Sequence, residues 1–300
     1  MMNMSKIPEV SIKTGGTIPK LGLGTYMVGG GMKHDPKNDD AGQIKAMEDA
    51  INAGFRWIRT AQNYAEGYCH LLVGKAIKSF NRKSLFLSEA INQNFALTKQ
   101  QMIDEAKKSL ERLGTDYFDL YMIGAINPEV PVSEIADGLM YLLENKITKY
   151  IGVSNYRLEE LKFINGYTGG KIVCDEMHFN LVIREPVVVG VYDYCKQNGI
   201  LLSAYRPLQL GQLSKPGISL VDEVAKKYGR SQSQVALRWL VQKEGVMAVV
   251  KAFDTKHIKE NVEVFDFSLA PEDMDRLDKD FPIQILTSDC SGPRKPKLRI

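Results

Sequence analysis

The sequence predicts an α/β fold: a closed (β/α)8 TIM barrel with an N-terminal β-hairpin cap. Three observations predict it. Apolar runs of strand length alternate with helical patterns along most of the chain. The runs number eight, which favours a closed barrel over an open doubly wound sheet. No glycine-rich G-x-G-x-x-G turn follows an early strand, so an open dinucleotide-binding sheet has no support.

The elements follow in order. Alternating residues at 10–13 and 17–18 flank Thr14-Gly15-Gly16 and read as the hairpin. Residues 21–25 form a glycine-rich strand where backbones must approach closely. Asp39 and Asp40 open a helix carrying Ile44, Met47 and Ile51 at helical spacing, closed by Gly54. Further strands are expected at 55–58, 84–91, 117–123, 150–154, 172–177, 200–205 and 246–250. Helices are expected at 69–80, 99–113, 131–144, 158–165, 186–197, 220–228 and 231–242. Gly114 and Gly199 stop two of them. Strand–helix–strand repetition implies right-handed crossovers and a parallel sheet.

The whole chain, 1–300, reads as one domain, since barrels of this type commonly exceed 250 residues. It is 44% hydrophobic and 25% charged, an ordinary globular composition. With 39 basic against 36 acidic residues, the net charge of +3 gives no case for nucleic acid or a membrane surface. The basic run at 294–299 reads as a solvated end. Four scattered cysteines, Cys69, Cys174, Cys195 and Cys290, indicate neither a disulfide framework nor a zinc site, and no cluster has metal spacing. With no apolar leader and no long apolar run, a cytoplasmic monomer is the expectation.

Chemistry in such a barrel sits at the C-terminal ends of the strands. The positions to inspect are therefore 59–64, 89–92, 124–127, 154–155, 175–178 and 205–206, with a small-molecule ligand expected at that face.

Four stretches carry a resemblance. Gly54 to Tyr64 contains Arg59-Thr60-Ala61-Gln62-Asn63-Tyr64; Ile18 to Thr25 forms an opening strand; Leu113 to Tyr121 leads into a fourth strand; Ile151-Gly152-Val153-Ser154-Asn155 closes a fifth. Together they resemble the aldo-keto reductases over nearly the whole chain. The resemblance implies NADPH-dependent carbonyl reduction by an Asp, Tyr, Lys and His tetrad. The tyrosine is the general acid, and the lysine, held by the aspartate, lowers its pKa. Of the tetrad only Tyr64 is present. Arg59 occupies the aspartate position, and Ala90, or Glu89 in the neighbouring register, the lysine position. Gly124-Ala125-Ile126 occupies the run that carries the histidine.

The resemblance also implies a cofactor site. Ser154 and Asn155 match the residues that hold the nicotinamide amide, and Tyr205 the ring that stacks on it. Lys251, Glu260 and Asn261 match the adenosine anchor, with His257 at an arginine position. At the nicotinamide end, Asp175-Glu176 replaces Asn-Gln and Arg206 a serine, so weakened NADPH binding is expected there. No metal is implied.

A tyrosine without a neighbouring cation ionises near ~10, a poor match to neutral pH. General-acid catalysis is worth ~10²–10⁴-fold, so ordinary carbonyl reduction is expected to be crippled. The departures cluster at one mouth while the scaffold motifs are intact. That pattern suggests a pocket recut on an inherited barrel, as in an engineered derivative. Two other readings stand: an NAD(P)H-dependent carbonyl oxidoreductase with an atypical tetrad, and a non-catalytic small-molecule-binding barrel.

Several groups compete for a role in the recut pocket. Strand alternation puts Glu176 and His178 on one face, so His178 could act as nucleophile or base with Glu176 holding its tautomer. Against that stands a solvated strand end. Glu89 could be a buried base, or an ion-pair partner of Arg59, which the sequence favours slightly. Arg206 could bind an anionic group or stabilise an oxyanion, but pairing with Glu176 or Asp175 is the expectation. His34 and His70 are expected to be exposed, and Cys174 to be core.

Overall fold

The computed structural model describes residues 6–91, 98–124 and 130–290. Asn92, Ala125, Ile126, Asn127 and the basic run at 294–299 lie outside them. The hairpin is formed by β1 (Glu9–Ser11) and β2 (Thr17–Pro19), paired antiparallel. Eight parallel strands follow: β3 (Leu21–Gly24), β4 (Trp57–Ala61), β5 (Phe86–Ile91), β6 (Phe118–Gly124), β7 (Thr148–Ser154), β8 (Ile172–His178), β9 (Leu201–Tyr205) and β10 (Val246–Val250). They close into a barrel in chain order, with β10 pairing back onto β3. The predicted fold is the observed one.

The helices are α1 (Asp40–Asn52), α2 (Tyr68–Ile77), α3 (Lys99–Leu113), α4 (Val132–Glu144), α5 (Leu158–Tyr167), α6 (Glu185–Val188), α7 (Val191–Gln197), α8 (Ser219–Tyr228), α9 (Gln232–Gln242), α10 (Thr255–Val262) and α11 (Pro271–Lys279). Asp39 caps α1 by accepting from the Gly42 amide. The helix expected over 186–197 is broken in two. Gly190 between the halves has φ +76, a left-handed turn that an uninterrupted helix forbids.

Two apolar layers hold the barrel. The outer one lies between strands and helices and includes Ile58, Leu87, Val153, Leu72 and Leu237. The inner one fills the barrel with Trp57, Phe86, Leu120, Met122, Cys174 and Met247, and the hairpin adds Ile12 and Ile18 as a plug. Trp57 is fully buried, and its indole N–H donates to Ser88 Oγ at 2.7 Å. Gly22 makes room for it: a Cβ there would lie 2.5 Å from the indole ring. This is the close approach that the glycine-rich first strand predicts.

β4 is displaced from its expected range. Phe55 caps α1 by donating its amide to the Ala50 carbonyl, and the strand runs on through Ala61. Arg59 is therefore a strand residue, in register with Gly24 and Ser88, not part of the following loop.

Candidate active site

Trp57 points into the barrel, so Arg59, two residues on, points the same way one layer nearer the mouth. It is buried, only 9% exposed. A buried guanidinium needs a partner, and β8 supplies one across the barrel. Arg59 Nε lies 3.1 Å from both Glu176 oxygens, and Nη2 lies 2.5 Å from Oε1. The Glu176 side chain is 1% exposed. Burial works against the arginine's charge, but the Glu176 carboxylate outweighs it and lifts the guanidinium above its ordinary value.

The second Arg59 amino group, Nη1, donates to the Tyr64 hydroxyl at 2.5 Å. Tyr64 stands at the start of a tight turn, where Ala65 and Glu66 both have positive φ. Its ring meets Tyr26 edge-on at 5.2 Å. Burial pushes the Tyr64 hydroxyl above the usual tyrosine value, with Arg59 pulling it partly back. Carboxylate, guanidinium and phenol thus form a continuous chain across the mouth. Arg59 occupies the oxygen's acceptor side, which leaves the phenolic proton free to be donated elsewhere.

Beside this chain, β7 ends in Ser154 and Asn155. Ser154 Oγ and the Asn155 amide both donate to the Glu176 carbonyl, at 3.1 and 2.8 Å. Asn155 adopts φ +59, a conformation asparagine tolerates better than most residues. Its carboxamide oxygen accepts from the Tyr205 hydroxyl at 2.7 Å. Ser154, Asn155 and Tyr205 are therefore brought together. Lys251 follows β10 and is exposed, 5.6 Å from the Phe253 ring. His257, in the first turn of α10, is exposed and paired with Asp254. Glu260 is half-buried and Asn261 buried on the same helix.

Several expectations are corrected. His178 does face the mouth but is not held by Glu176, which is committed to Arg59. Its Nε2 contacts Gln209 Oε1 at 2.9 Å and its Nδ1 contacts Ser288 Oγ at 2.8 Å. Its ring stacks on Tyr205 at 5.4 Å. Nor is it a solvated strand end, being 2% exposed. Both ring nitrogens are thus engaged by neighbouring side chains.

Glu89 is not at the mouth at all. Phe86 and Ala90 line the barrel, so Glu89 points outward to α2. There it meets His70 Nε2 at 3.0 Å, and both side chains are fully buried. The Arg59 pairing expected for Glu89 and the exposure expected for His70 both fail for this reason. Arg206 pairs with Asp289 at 3.2 Å, not with Glu176 or Asp175. Asp175 lies one residue from Glu176 and faces the other way. His34 is exposed and Cys174 is core, as expected.

Sequence reasoning missed Gln209, Ser288 and Asp289. They lie in a turn after β9 and in the C-terminal segment, where no periodicity marks a residue as facing the mouth.

A model of the aldo/keto reductase family matches residues 20–280. Glyoxal reductase of Bacillus subtilis is 32% identical over 276 residues, covering 90% of this chain and 91% of that one. Methylglyoxal reductase YeaE of Escherichia coli is 28% identical over 274 residues, covering 89% and 92%. The thermostable aldo-keto reductase Tm1743, solved with the inhibitor epalrestat, superposes with a TM-score of 0.87 at 34% identity, covering 90% of this chain and 98% of that one. An aldo/keto reductase from Klebsiella pneumoniae, solved with NADP and acetate, gives 0.81 at 25% identity, covering 93% and 96%.

Proposed function

Because the chain belongs to the aldo/keto reductase family, we propose that it is a nicotinamide-dependent oxidoreductase of small carbonyl compounds with a rebuilt catalytic chain. The observation that carries this reading is the Tyr64 hydroxyl on the Arg59 guanidinium, itself clamped by Glu176. The tetrad's order of groups (carboxylate, cation, phenol) is kept, while two of the three positions differ. Arg59 supplies the cation that the missing lysine would otherwise provide, and Glu176 stands in for the aspartate.

When bound, a reduced nicotinamide supplies the hydride. Ser154, Asn155 and Tyr205 fit its amide and ring, being a hydroxyl, a carboxamide and an aromatic face at adjoining strand ends. Lys251 and the residues of α10 fit the adenosine end, where Lys251 and His257 offer exposed basic groups. Tyr64 donates its proton to the carbonyl oxygen. Arg59 Nη1–H then stabilises the phenolate left behind, a charge-assisted bond of the stronger class. Arg59 cannot itself relay a proton, because a guanidinium does not deprotonate in this range. Tyr64 must therefore be recharged from solvent, and turnover slower than in a lysine-containing tetrad is expected.

Glyoxal and methylglyoxal reductases are among the relatives, so small dicarbonyls are the first substrates to offer, with NADPH and NADH each titrated by fluorescence. Tyr64→Phe should leave cofactor binding intact and lower turnover by ~10²–10⁴-fold. Unchanged turnover in that variant, or no binding of either cofactor, overturns the reading.

A second reading is a pocket recut away from carbonyl reduction, by engineering or otherwise. It is favoured by one observation: Glu176, Asn155 and Tyr205 are already bonded to one another or to Arg59, leaving fewer groups for the nicotinamide. Ligand binding without any turnover would select it.

A further inference from the structure

His178, Asp289 and Cys290 converge beside Tyr205, with one donor atom from each within 4.8 Å of the others. His178 Nδ1 lies 3.3 Å from Asp289 Oδ1, and Cys290 Sγ lies 3.4 Å from the same oxygen. The geometry points to a binding site for a zinc-class divalent cation, ligated by His178 Nδ1, Asp289 Oδ1 and Cys290 Sγ. A tetrahedral zinc ion with bonds of about 2.0 Å to nitrogen and oxygen and about 2.3 Å to sulfur sets ligand edges of about 3.3 Å for N···O and about 3.5 Å for S···O. The two distances seen here match those edges.

The surroundings are those of a prepared ligand set. Gln209 Oε1 is a carboxamide oxygen and already accepts from Asn180 Nδ2 at 2.9 Å. It can only accept from His178 as well, so His178 Nε2 carries the proton. The lone pair is therefore on Nδ1, which accepts from the Ser288 hydroxyl at 2.8 Å and lies 3.3 Å from Asp289 Oδ1. Fixing the far nitrogen of a ligating histidine in this way is the usual outer-shell arrangement of metal sites. Arg206 Nη1 donates to both Asp289 oxygens, at 3.2 Å to Oδ2 and 3.4 Å to Oδ1, and so orients the carboxylate.

The backbone is held too. The Ser288 amide donates to the buried Glu185 carboxylate at 2.7 Å, and Ile285 bridges Ile183. The segment that carries Asp289 and Cys290 is therefore tied to the strand end that carries His178. Thiolate, imidazole and carboxylate together select zinc or cobalt over magnesium or calcium, which prefer all-oxygen shells. On binding, the Cys290 S–H proton leaves to solvent and the Ser288 hydroxyl gives up Nδ1. Two anionic ligands then balance the dication, so Arg206 can stay. The fourth position is open to water or to an anionic ligand at the barrel mouth. This site is independent of the Tyr64 chain, since none of its three ligands touches Arg59, Tyr64 or Glu176.

The test is a Co²⁺ titration of the untagged full chain, read by absorbance, with Zn²⁺ calorimetry alongside. One equivalent should give the intense d–d bands of tetrahedral cobalt and a near-ultraviolet thiolate charge-transfer band. Cys290→Ser lies in a half-exposed segment and should abolish that band. Gln209→Leu, which touches no metal, should weaken zinc binding about 10–100-fold. Charge-transfer bands that survive Cys290→Ser, weak octahedral bands only, or affinity unchanged in Gln209→Leu each overturn the site.

Discussion

Arg59 and Glu176 stand on strands β4 and β8, on opposite sides of the barrel, and meet in a two-pronged ion pair at its mouth. Both side chains are nearly out of reach of solvent. Such pairs are asymmetric in energy: removing one partner strands a buried charge, whereas removing both need not. Glu176→Gln should therefore destabilise the fold by about 3–5 kcal/mol, while Arg59→Met combined with Glu176→Leu should cost far less. Urea unfolding of the two variants checks this. Equal midpoint losses would mean that the pair is solvated in solution.

Tyr64 predicts a pH profile. Burial, set only partly back by Arg59, leaves its hydroxyl above the ordinary tyrosine value near ~10. A raised pKa keeps the proton-donating form populated as pH climbs. The reduction rate should show no alkaline break assignable to Tyr64 below about pH 10. A break near neutrality that disappears in Tyr64→Phe would show that Arg59 dominates instead.

The barrel was legible because its signals are local. Strand-length apolar runs and capping residues such as Asp39 act within a few positions of themselves. The mouth was less legible because its partners are far apart in the chain. Glu176 finds Arg59 117 residues away, and His178 meets Ser288 across 110. No local period encodes those pairings. Glu89 is different, because its placement could have been read. If Ala90 occupies an inward position, alternation sends Glu89 outward, and a one-residue slip exchanges the two faces. Admitting both registers put a helix-facing carboxylate among the site candidates.

That outward position makes its own prediction. Glu89 and His70 form a fully buried pair between β5 and α2. Neither touches Tyr64, Arg59 or Glu176. Glu89→Ala leaves His70 Nε2 without its partner and opens a void, so a loss of about 3–5 kcal/mol is expected. Turnover per folded molecule should not change. A variant that unfolds at wild-type urea concentration yet loses turnover would place Glu89 in the chemistry after all.

The cysteines give the sharpest contrast between mouth and core. Cys69, Cys174 and Cys195 are buried. Burial pushes the Cys69 thiol up to about 11, and pushes Cys174 and Cys195 well above the usual thiol range. The thiolate is the reacting form, so these three should be inert at neutral pH on two counts, access and ionisation. Cys290 is half-exposed at the mouth. A disulfide reagent should therefore titrate one thiol in the native chain at pH 7.5, and four after denaturation. Raising the pH to 9 should not bring a second thiol into the fast class, because the core three are shut off by packing as well as held protonated by burial. A second fast thiol would show that the barrel wall at Cys174, or the α2 contact at Cys69, opens far more often than its packing allows.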